Sequence, residues 1–405
     1  MRRRCLASSR EARRKRGPLK SEPRQKEPVA SAGLYIHVPF CTSVCPYCDF
    51  AVTIAGEDRR AAWTDGVVRE ASMYGDRGLA FDTVYLGGGT PSSVALHPLA
   101  SVFSGLREKL EIDEDAVFCL EANPEDVTRE SVAAWRDLGV GFISLGVQSF
   151  ADEALEFLGR RHSAAESRAA VETVLAGGFD TVSVDLIYGL AGQTAEQWRL
   201  QLEHAVAFGI DHLSCYQLTY HRGTIFGRRL DRGVATELAE PDQAELFFLT
   251  HRVLADAGFE AYEVSNFAAA PEHRSQHNQK YWNHTPYLGL GPSAQSFANG
   301  RRWWNRRKLR LWQSAVEEGR PPIEGEEELS PKQLTLEALM LGLRTTDGVD
   351  LTKIRNRHGI DLQADNAAAI DRLCASGHLR LDGDHLRPTL AGLAIADTLA
   401  RSFNV

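Results

Sequence analysis

The stretch Tyr35-Ile-His-Val-Pro-Phe-Cys41-Thr-Ser-Val-Cys45-Pro-Tyr-Cys48-Asp-Phe50 decides how the chain is read. It holds three of the seven cysteines within eight residues, spaced C-x3-C-x2-C. Soft thiolates at that spacing can wrap an iron–sulfur cluster. Three cysteines on a four-iron cubane leave one iron without a protein ligand, and an open iron can bind and reduce a small molecule. A zinc site normally completes its tetrahedron with a second pair of Cys or His. The neighbours His37 and Asp49 make no familiar zinc spacing. A disulfide would leave one cysteine over.

Outward from this stretch the chain alternates strand and helix. Residues 33–38 read as a short buried strand that delivers Cys41 into a loop. Residues 61–75 read as an amphipathic helix with Trp63, Val67, Val68, Ala71 and Tyr74 on one face. The strand at 82–86 runs into Gly87-Gly88-Gly89-Thr90, and glycines directly after a strand permit close backbone approach to a ligand. Strands at 116–121, 142–149, 181–190 and 212–218 follow, carrying Glu121, Gln148 and Asp185. Ser163 with Glu166, and Thr194 with Gln197, have the spacing of capping boxes that open helices. Six strands alternating with helices imply an α/β fold with a parallel sheet. The polar residues sit at strand C-terminal ends, where (β/α) barrels place their sites. Length alone does not separate a six-stranded barrel from a doubly wound sheet.

Composition is that of a soluble globular chain, 43% hydrophobic and 25% charged. No apolar run nears the ~20 residues of a membrane span, and no secretory signal is visible. Outside the cluster motif the cysteines are scattered singly, which suits a reducing cytoplasm. The net charge of −8 hides an asymmetry: residues 1–28 carry eleven Lys or Arg and three Glu, leaving an acidic remainder. An acidic body argues against a nucleic-acid-binding core. Residues 1–30 read as a disordered, solvated basic tail.

Residues 31–230 read as the (β/α) core, and beyond Gly223 the pattern changes. Residues 231–325 form an α/β extension with a helix at 241–257 and the run Ser275-Gln-His277-Asn278-Gln-Lys-Tyr281-Trp282. Arg301-Arg-Trp-Trp-Asn-Arg-Arg is basic and aromatic; in an acidic body it reads as an element edge rather than a nucleic-acid surface. Residues 321–328 read as a polar linker. In residues 326–405, two helices from Leu334 onward, a hairpin at 378–386 and a last helix at 390–400 suggest a small winged-helix-like domain.

The cluster motif resembles that of the radical S-adenosylmethionine (SAM) superfamily. Tyr-Ile-His-Val-Pro-Phe-Cys is similar to its coproporphyrinogen oxidase-like branch, and the resemblance runs from about Gly33 to the C-terminus. It implies a partial (β/α)6 barrel, a [4Fe-4S] cluster on Cys41, Cys45 and Cys48, and SAM chelated to the open iron. In that family the reduced cluster cleaves SAM to methionine and a 5′-deoxyadenosyl radical. Residue by residue, Gly87, Gly88 and Gly89 resemble the edge lying against the SAM amino group, with Thr90 adding a hydroxyl. Glu121 resembles the acid that holds SAM, and Gln148, Arg160 and Asp185 resemble further residues of that pocket. Tyr35 and Tyr47 flank the cluster loop as in relatives. A low-potential electron donor such as flavodoxin or ferredoxin is implied.

Within the branch, the oxygen-independent oxidases usually show a fourth cysteine where this chain has Phe50. Phe50 together with His277-Asn278-Gln-Lys-Tyr281-Trp282 resembles the HemW-type heme chaperones, in which an H-N-x-x-Y-W element is associated with heme binding. The resemblance implies heme as a bound cofactor, an unidentified heme-acceptor protein as partner, and His277 as a candidate axial ligand. The other reading of His277 is a core histidine hydrogen-bonded within a turn. The family's usual Gly-Leu-Pro-Gly-Gln-Thr is here Gly189-Leu190-Ala191-Gly192-Gln193-Thr194, and its Gly-Ala-His-Ser has Gln295 in place of the histidine. The rival functions are oxidative decarboxylation of coproporphyrinogen III, and methyl transfer or heme degradation on the same scaffold.

Overall fold

A computed structural model describes residues 31–75 and 78–405. The expected basic tail lies outside the described residues. Strands β1 (Ser31–Val38), β2 (Ala80–Gly88), β3 (Glu111–Ala122), β4 (Val140–Gln148), β5 (Thr181–Tyr188) and β6 (His212–Gln217) pair in sequence order, all parallel. The connecting helices include Glu57–Ser72, Leu96–Lys109, Arg129–Asp137, Ala164–Leu175 and Ala195–Ala207. Both expected capping boxes form, at Ser163/Glu166 and Thr194/Gln197.

Alternation along each strand divides the sheet into two faces. Leu34, Ile36 and Val38 of β1, Val84 and Leu86 of β2, and Phe118 and Leu120 of β3 turn outward. They meet Trp63, Val67, Leu99 and Val102 of the covering helices in one continuous apolar core. The intervening residues turn into the barrel: Tyr35, Thr83, Tyr85, Cys119, Glu121, Ser144, Asp185 and His212. Oily strands under helices and a polar, aromatic lumen are thus two readings of the same sequence at odd and even positions.

The barrel is open. β1 and β6 do not pair with each other; each pairs outward with the extension. β7 (Glu260–Ala261) and β8 (Asn266–Ala268) lie beyond β6, antiparallel. β9 (Tyr287–Leu290) runs parallel to β1, followed by β10 (Gln295–Ala298), β11 (Arg301–Asn305) and β12 (Ile323–Glu328). The extension therefore continues the core sheet at both edges.

Four expectations shift. The first helix begins four residues early, at Glu57, because Glu57 and Asp58 suit a helix N-terminus before any apolar residue marks the face. The segment read as a linker at 321–328 contains β12, whose Glu326 and Glu327 ion-pair with Arg301 and Arg302 on β11. An edge strand held by cross-strand charges shows no apolar alternation to read. This pairing accounts for the basic–aromatic run as a strand edge. The C-terminal region has four helices before its hairpin rather than two: Pro331–Gly342, Leu351–His358, Leu362–Asp365 and Ala367–Ala375. Its last helix is broken into Leu390–Leu393 and Ala396–Ala400, with Ile395 outside the helical region between them.

That region carries its own apolar cluster around Leu339, Leu343, Ile354, Leu386 and Leu399. Its sheet of β13 (Val349–Asp350), β14 (Leu379–Asp382) and β15 (His385–Pro388) is antiparallel, in the order β13-β15-β14. Arg344 joins it to the rest: Nη2 lies 3.2 Å from Oε1 of the buried Glu263, and its carbonyl accepts from the Val264 amide.

Candidate active site

At the C-terminal ends of β1 to β6 a cavity of about 430 Å³ opens, lined by Cys41, Cys45 and Cys48 together with Gly88, Gly89, Thr90, Glu121, Gln148, Arg160 and Asp185. Tyr47 lines it as well. The three thiols sit in the loop after β1, each half-buried. Thr90 Oγ1 lies 3.5 Å from Cys41 Sγ and Arg160 Nη1 lies 3.7 Å from Cys45 Sγ. Burial pushes the Cys48 thiol up to about 11 and raises that of Cys41, partly offset by the Thr90 hydroxyl. Iron must displace those protons, since the thiolate is the ligand. Three soft donors with a guanidinium and a hydroxyl beside them form a donor set that fits an anionic iron–sulfur cluster.

The glycine run lies against β1 with no room to spare. A Cβ on Gly89 would stand 2.6 Å from the Phe40 carbonyl oxygen and 2.9 Å from that of Val38. The Gly89 amide donates to that same Val38 carbonyl at 2.7 Å. Gly88 has a left-handed φ of 114° and directs its amide to Glu121 Oε2 at 3.0 Å. A Cβ on Gly87 would meet Glu121 Oε1 at 2.9 Å. These contacts set glycine at all three positions and leave a backbone edge bare toward the cavity, the shape that fits a bound SAM.

Glu121 and Asp185 come from β3 and β5 to the floor of the cavity, both half-buried. Burial pushes Glu121 up to about 7, against hydrogen bonds from Tyr85 and Gly88 and with Asp185 adding to the rise. Burial pushes Asp185 up to about 6, against hydrogen bonds from Ser214 and Ser144. A cationic amine seated here would reverse both shifts. Gln148 ends β4 with φ 65°, after a register shift that turns its amide into the cavity. Arg160 Nη2 donates to Asn123 Oδ1 at 2.7 Å and to the Gly146 carbonyl at 2.9 Å, leaving Nε buried without a partner.

Two of the expected residues lie below the cavity rather than on it. Tyr35 packs in the lumen, its hydroxyl 3.1 Å from His37 Nδ1 and its ring stacked on Tyr85. His277 lies deeper, on the helix Gln276–Trp282, 1% exposed. Its Nδ1 meets Thr83 Oγ1 at 2.9 Å and its Nε2 meets the Tyr281 hydroxyl at 2.8 Å. Its ring stacks on Tyr85, and burial pushes its pKa down to about 3. With both nitrogens engaged, His277 has the arrangement of a core histidine and presents no lone pair to an iron. Gln295, in place of the family's histidine, is exposed on β10 opposite Trp304.

Three residues of the site escape sequence reading. Asn123 bridges Thr90 and Arg160, Tyr85 donates to Glu121 at 2.8 Å, and Ser144 reaches both oxygens of Asp185 at 3.0 and 3.1 Å. Strand parity was the available signal: Tyr85 and Gly87, like Ser144 and Gly146, share a face.

Comparison with known proteins agrees. The Radical SAM superfamily model matches residues 35–203 and the HemN C-terminal domain model matches residues 329–395. The chain is 34% identical to "Heme chaperone HemW" of Mycobacterium tuberculosis, over 91% of this chain and 94% of that protein. It is 31% identical to the protein of the same name from Lactococcus lactis, over 91% and 96%. It is 33% identical to "Radical S-adenosyl methionine domain-containing protein 1, mitochondrial" of Mus musculus, over 98% and 93%. Among solved structures, coproporphyrinogen III oxidase (HemN) from Escherichia coli has the same fold, with TM-score 0.80 and 21% identity over 93% and 91% of the two chains. Motif, fold and full-length likeness agree: the chain belongs to the HemW family of the radical SAM superfamily.

Proposed function

We propose that this protein is a radical SAM heme chaperone, which takes up heme and passes it to an acceptor protein. The observation that carries the reading is end-to-end likeness to heme chaperones, joined to a cluster loop whose fiftieth residue is phenylalanine. Phe50 is 65% exposed at the cavity rim, so the position where the oxidase has a fourth cysteine offers no ligand. Cys41, Cys45 and Cys48 hold a [4Fe-4S] cluster, which when bound supplies a low-potential electron to SAM. The chain's own residues seat SAM: the Gly87–Gly89 edge and Thr90 line one side, while Glu121 and Asp185 offer carboxylates to its amine and hydroxyls. Arg160 braces the Asn123 loop and one thiol. The exposed apolar residues Val44, Phe50 and Ile54 beside the cluster loop suit docking of a low-potential electron donor. Among the described residues no helix is long and apolar enough to cross a membrane. A cytoplasmic location goes with the singly scattered cysteines.

The test is an anaerobic assay of cluster-reconstituted protein with coproporphyrinogen III, SAM and a reductant, beside a titration with heme. The expected result is saturable heme binding without porphyrin turnover. Many turnovers to protoporphyrinogen per protein would replace the chaperone with the oxidase.

A further inference from the structure

A second cavity, of about 840 Å³, lies between the barrel and the C-terminal domain, at the opposite end of the strands from the cysteines. Pro286, just before β9 starts, lines it, and β9 runs parallel to β1. The helix Gln276–Trp282 divides the two regions. His277 and Tyr281 point into the lumen, whereas Gln279 and Trp282 line the cleft.

The facing wall is the helix Leu351–His358. Lys353, Ile354, Arg357 and His358 all line the cleft, at the spacing that places them on one helix face. The His358 tautomer is fixed by its surroundings. Its Nδ1 lies 2.8 Å from Thr335 Oγ1, and that hydroxyl donates its one proton to the Pro331 carbonyl at 2.8 Å. Thr335 can only accept from His358, so Nδ1 carries the hydrogen and Nε2 keeps its lone pair. An imidazole whose second nitrogen is anchored in this way is the usual form of a metal-binding histidine. Among the described residues Nε2 of His358 has no hydrogen-bond partner.

The charges of the cleft are unbalanced toward the positive. Lys353 and Arg357 form no ion pair among the described residues. The acids at the rim are engaged elsewhere: Asp350 caps its helix through the Lys353 amide at 2.8 Å, and Asp347 faces Arg274 at 3.7 Å. On the barrel side His284 lines the same cleft, its buried Nε2 without a hydrogen bond but 3.6 Å from the Glu337 carboxylate, its ring packed on Phe297 at 5.4 Å. Apolar walls, a free imidazole nitrogen and two unpaired cations on one helix match a flat apolar macrocycle that carries an iron and two carboxylates.

We propose that this interdomain cleft is the heme site, with His358 Nε2 as axial ligand and Lys353 and Arg357 facing the propionates. The proposal rests on the heme-chaperone reading and assigns the cargo to a place the H-N-x-x-Y-W histidine does not reach. Trp282 of that element is part of the wall, so the element borders the cleft through its other face.

The experiment titrates ferric heme into the cluster-reconstituted full chain, followed by Soret difference spectra. His358→Ala should weaken binding on the order of a hundredfold, and free imidazole should restore the wild-type spectrum. The double variant Lys353→Ala/Arg357→Ala should weaken binding about tenfold with the axial-ligand spectrum unchanged. Cluster content and melting temperature serve as folding controls, and Lys353 and Arg357 can change without opening the core. Wild-type affinity and spectrum in His358→Ala would overturn the proposal alone, most clearly if His277→Ala abolished the spectrum instead. Failure of the wild type to bind heme would overturn the chaperone reading with it.

Discussion

Tyr85 donates a hydrogen bond to Glu121 across 2.8 Å, at a carboxyl whose other oxygen accepts from the Gly88 amide. The candidate SAM acid is therefore held at both oxygens by neighbours on β2. It is also buried enough to retain a proton up to about pH 7.

A pH dependence follows, with a definite sign. The folded-state pKa of Glu121 lies above its unfolded value, so the native protein binds more protons between the two. Its contribution is fully present below about pH 4.5 and is lost as the pH rises through about 7. Asp185, raised to about 6, acts in the same direction. Without cluster and SAM, the melting temperature should fall from pH 5 to pH 7.5. Glu121→Gln should flatten that slope, leave cluster content near wild type and weaken SAM binding at least tenfold, roughly the 1.4 kcal/mol or more of a charged hydrogen bond. Unchanged SAM affinity by equilibrium dialysis would make Glu121 purely structural.

Iron should depend on three cysteines only. Cys119 and Cys215 are buried in the barrel wall, and Cys374 lies in the C-terminal region. Changing any of these to Ser should leave iron and sulfide content near wild type, whereas Cys41→Ser, Cys45→Ser or Cys48→Ser should abolish the cluster. Loss of iron from a correctly folded Cys119 variant would contradict the assignment.

Gly89→Ala should act on two sites at once. The new methyl meets two carbonyl oxygens of the backbone leading to Cys41, and neither can rotate away. Overpacking of this kind costs about 1–3 kcal/mol. Circular dichroism should report a lower melting temperature, and both cluster retention and SAM binding should weaken. Gly192→Ala, where no atom stands within 4 Å but φ is 75°, should lower stability through backbone strain alone and spare the cluster.

Arg344 should set the coupling between the barrel and the C-terminal region. Its removal leaves the carboxylate of Glu263, 4% exposed, without its cation, retaining only the Ser265 and Asn266 donors. Arg344→Ala should destabilise by about 2 kcal/mol, less than a fully buried pair because Arg344 is one-third exposed. Denaturant melts should show the transition broaden as the C-terminal region separates. A double-mutant cycle with Glu263→Gln would isolate the pair.

The parallel core could be read from sequence because each of its strands is an apolar run on its outer face followed by a helix. Cys41, Thr90, Glu121 and Gln148 could be placed because each sits at or just past the end of an apolar run, and Asp185 because it is the one acid inside such a run. Glu70 could not. It lies in the helix Glu57–Ser72 on the same face as Trp63, Val67 and Tyr74, a lone carboxylate in an apolar stripe with no local partner. It is fully buried, taking the Gly291 amide at 2.8 Å, Asn305 Nδ2 at 2.6 Å and Trp312 Nε1 at 2.8 Å. All three donors come from more than two hundred residues downstream, and no local pattern encodes a partner that distant. β12 was hidden because its pairing is written in charges. The cleft was hidden because its two walls belong to different parts of the chain.

The lumen filling also separates reactivity from cargo. Tyr35, Tyr85, His277 and Tyr281 are stacked or hydrogen-bonded to one another in the barrel lumen, between the cysteine end and the cleft. The strands between the cysteine loop and the interdomain cleft span roughly 20 Å. A carbon-centred radical raised at the cysteine end would meet a wall of aromatic side chains before it met a porphyrin. Such a barrier lets a protein keep the machinery of a porphyrin-oxidising relative while carrying a porphyrin unharmed.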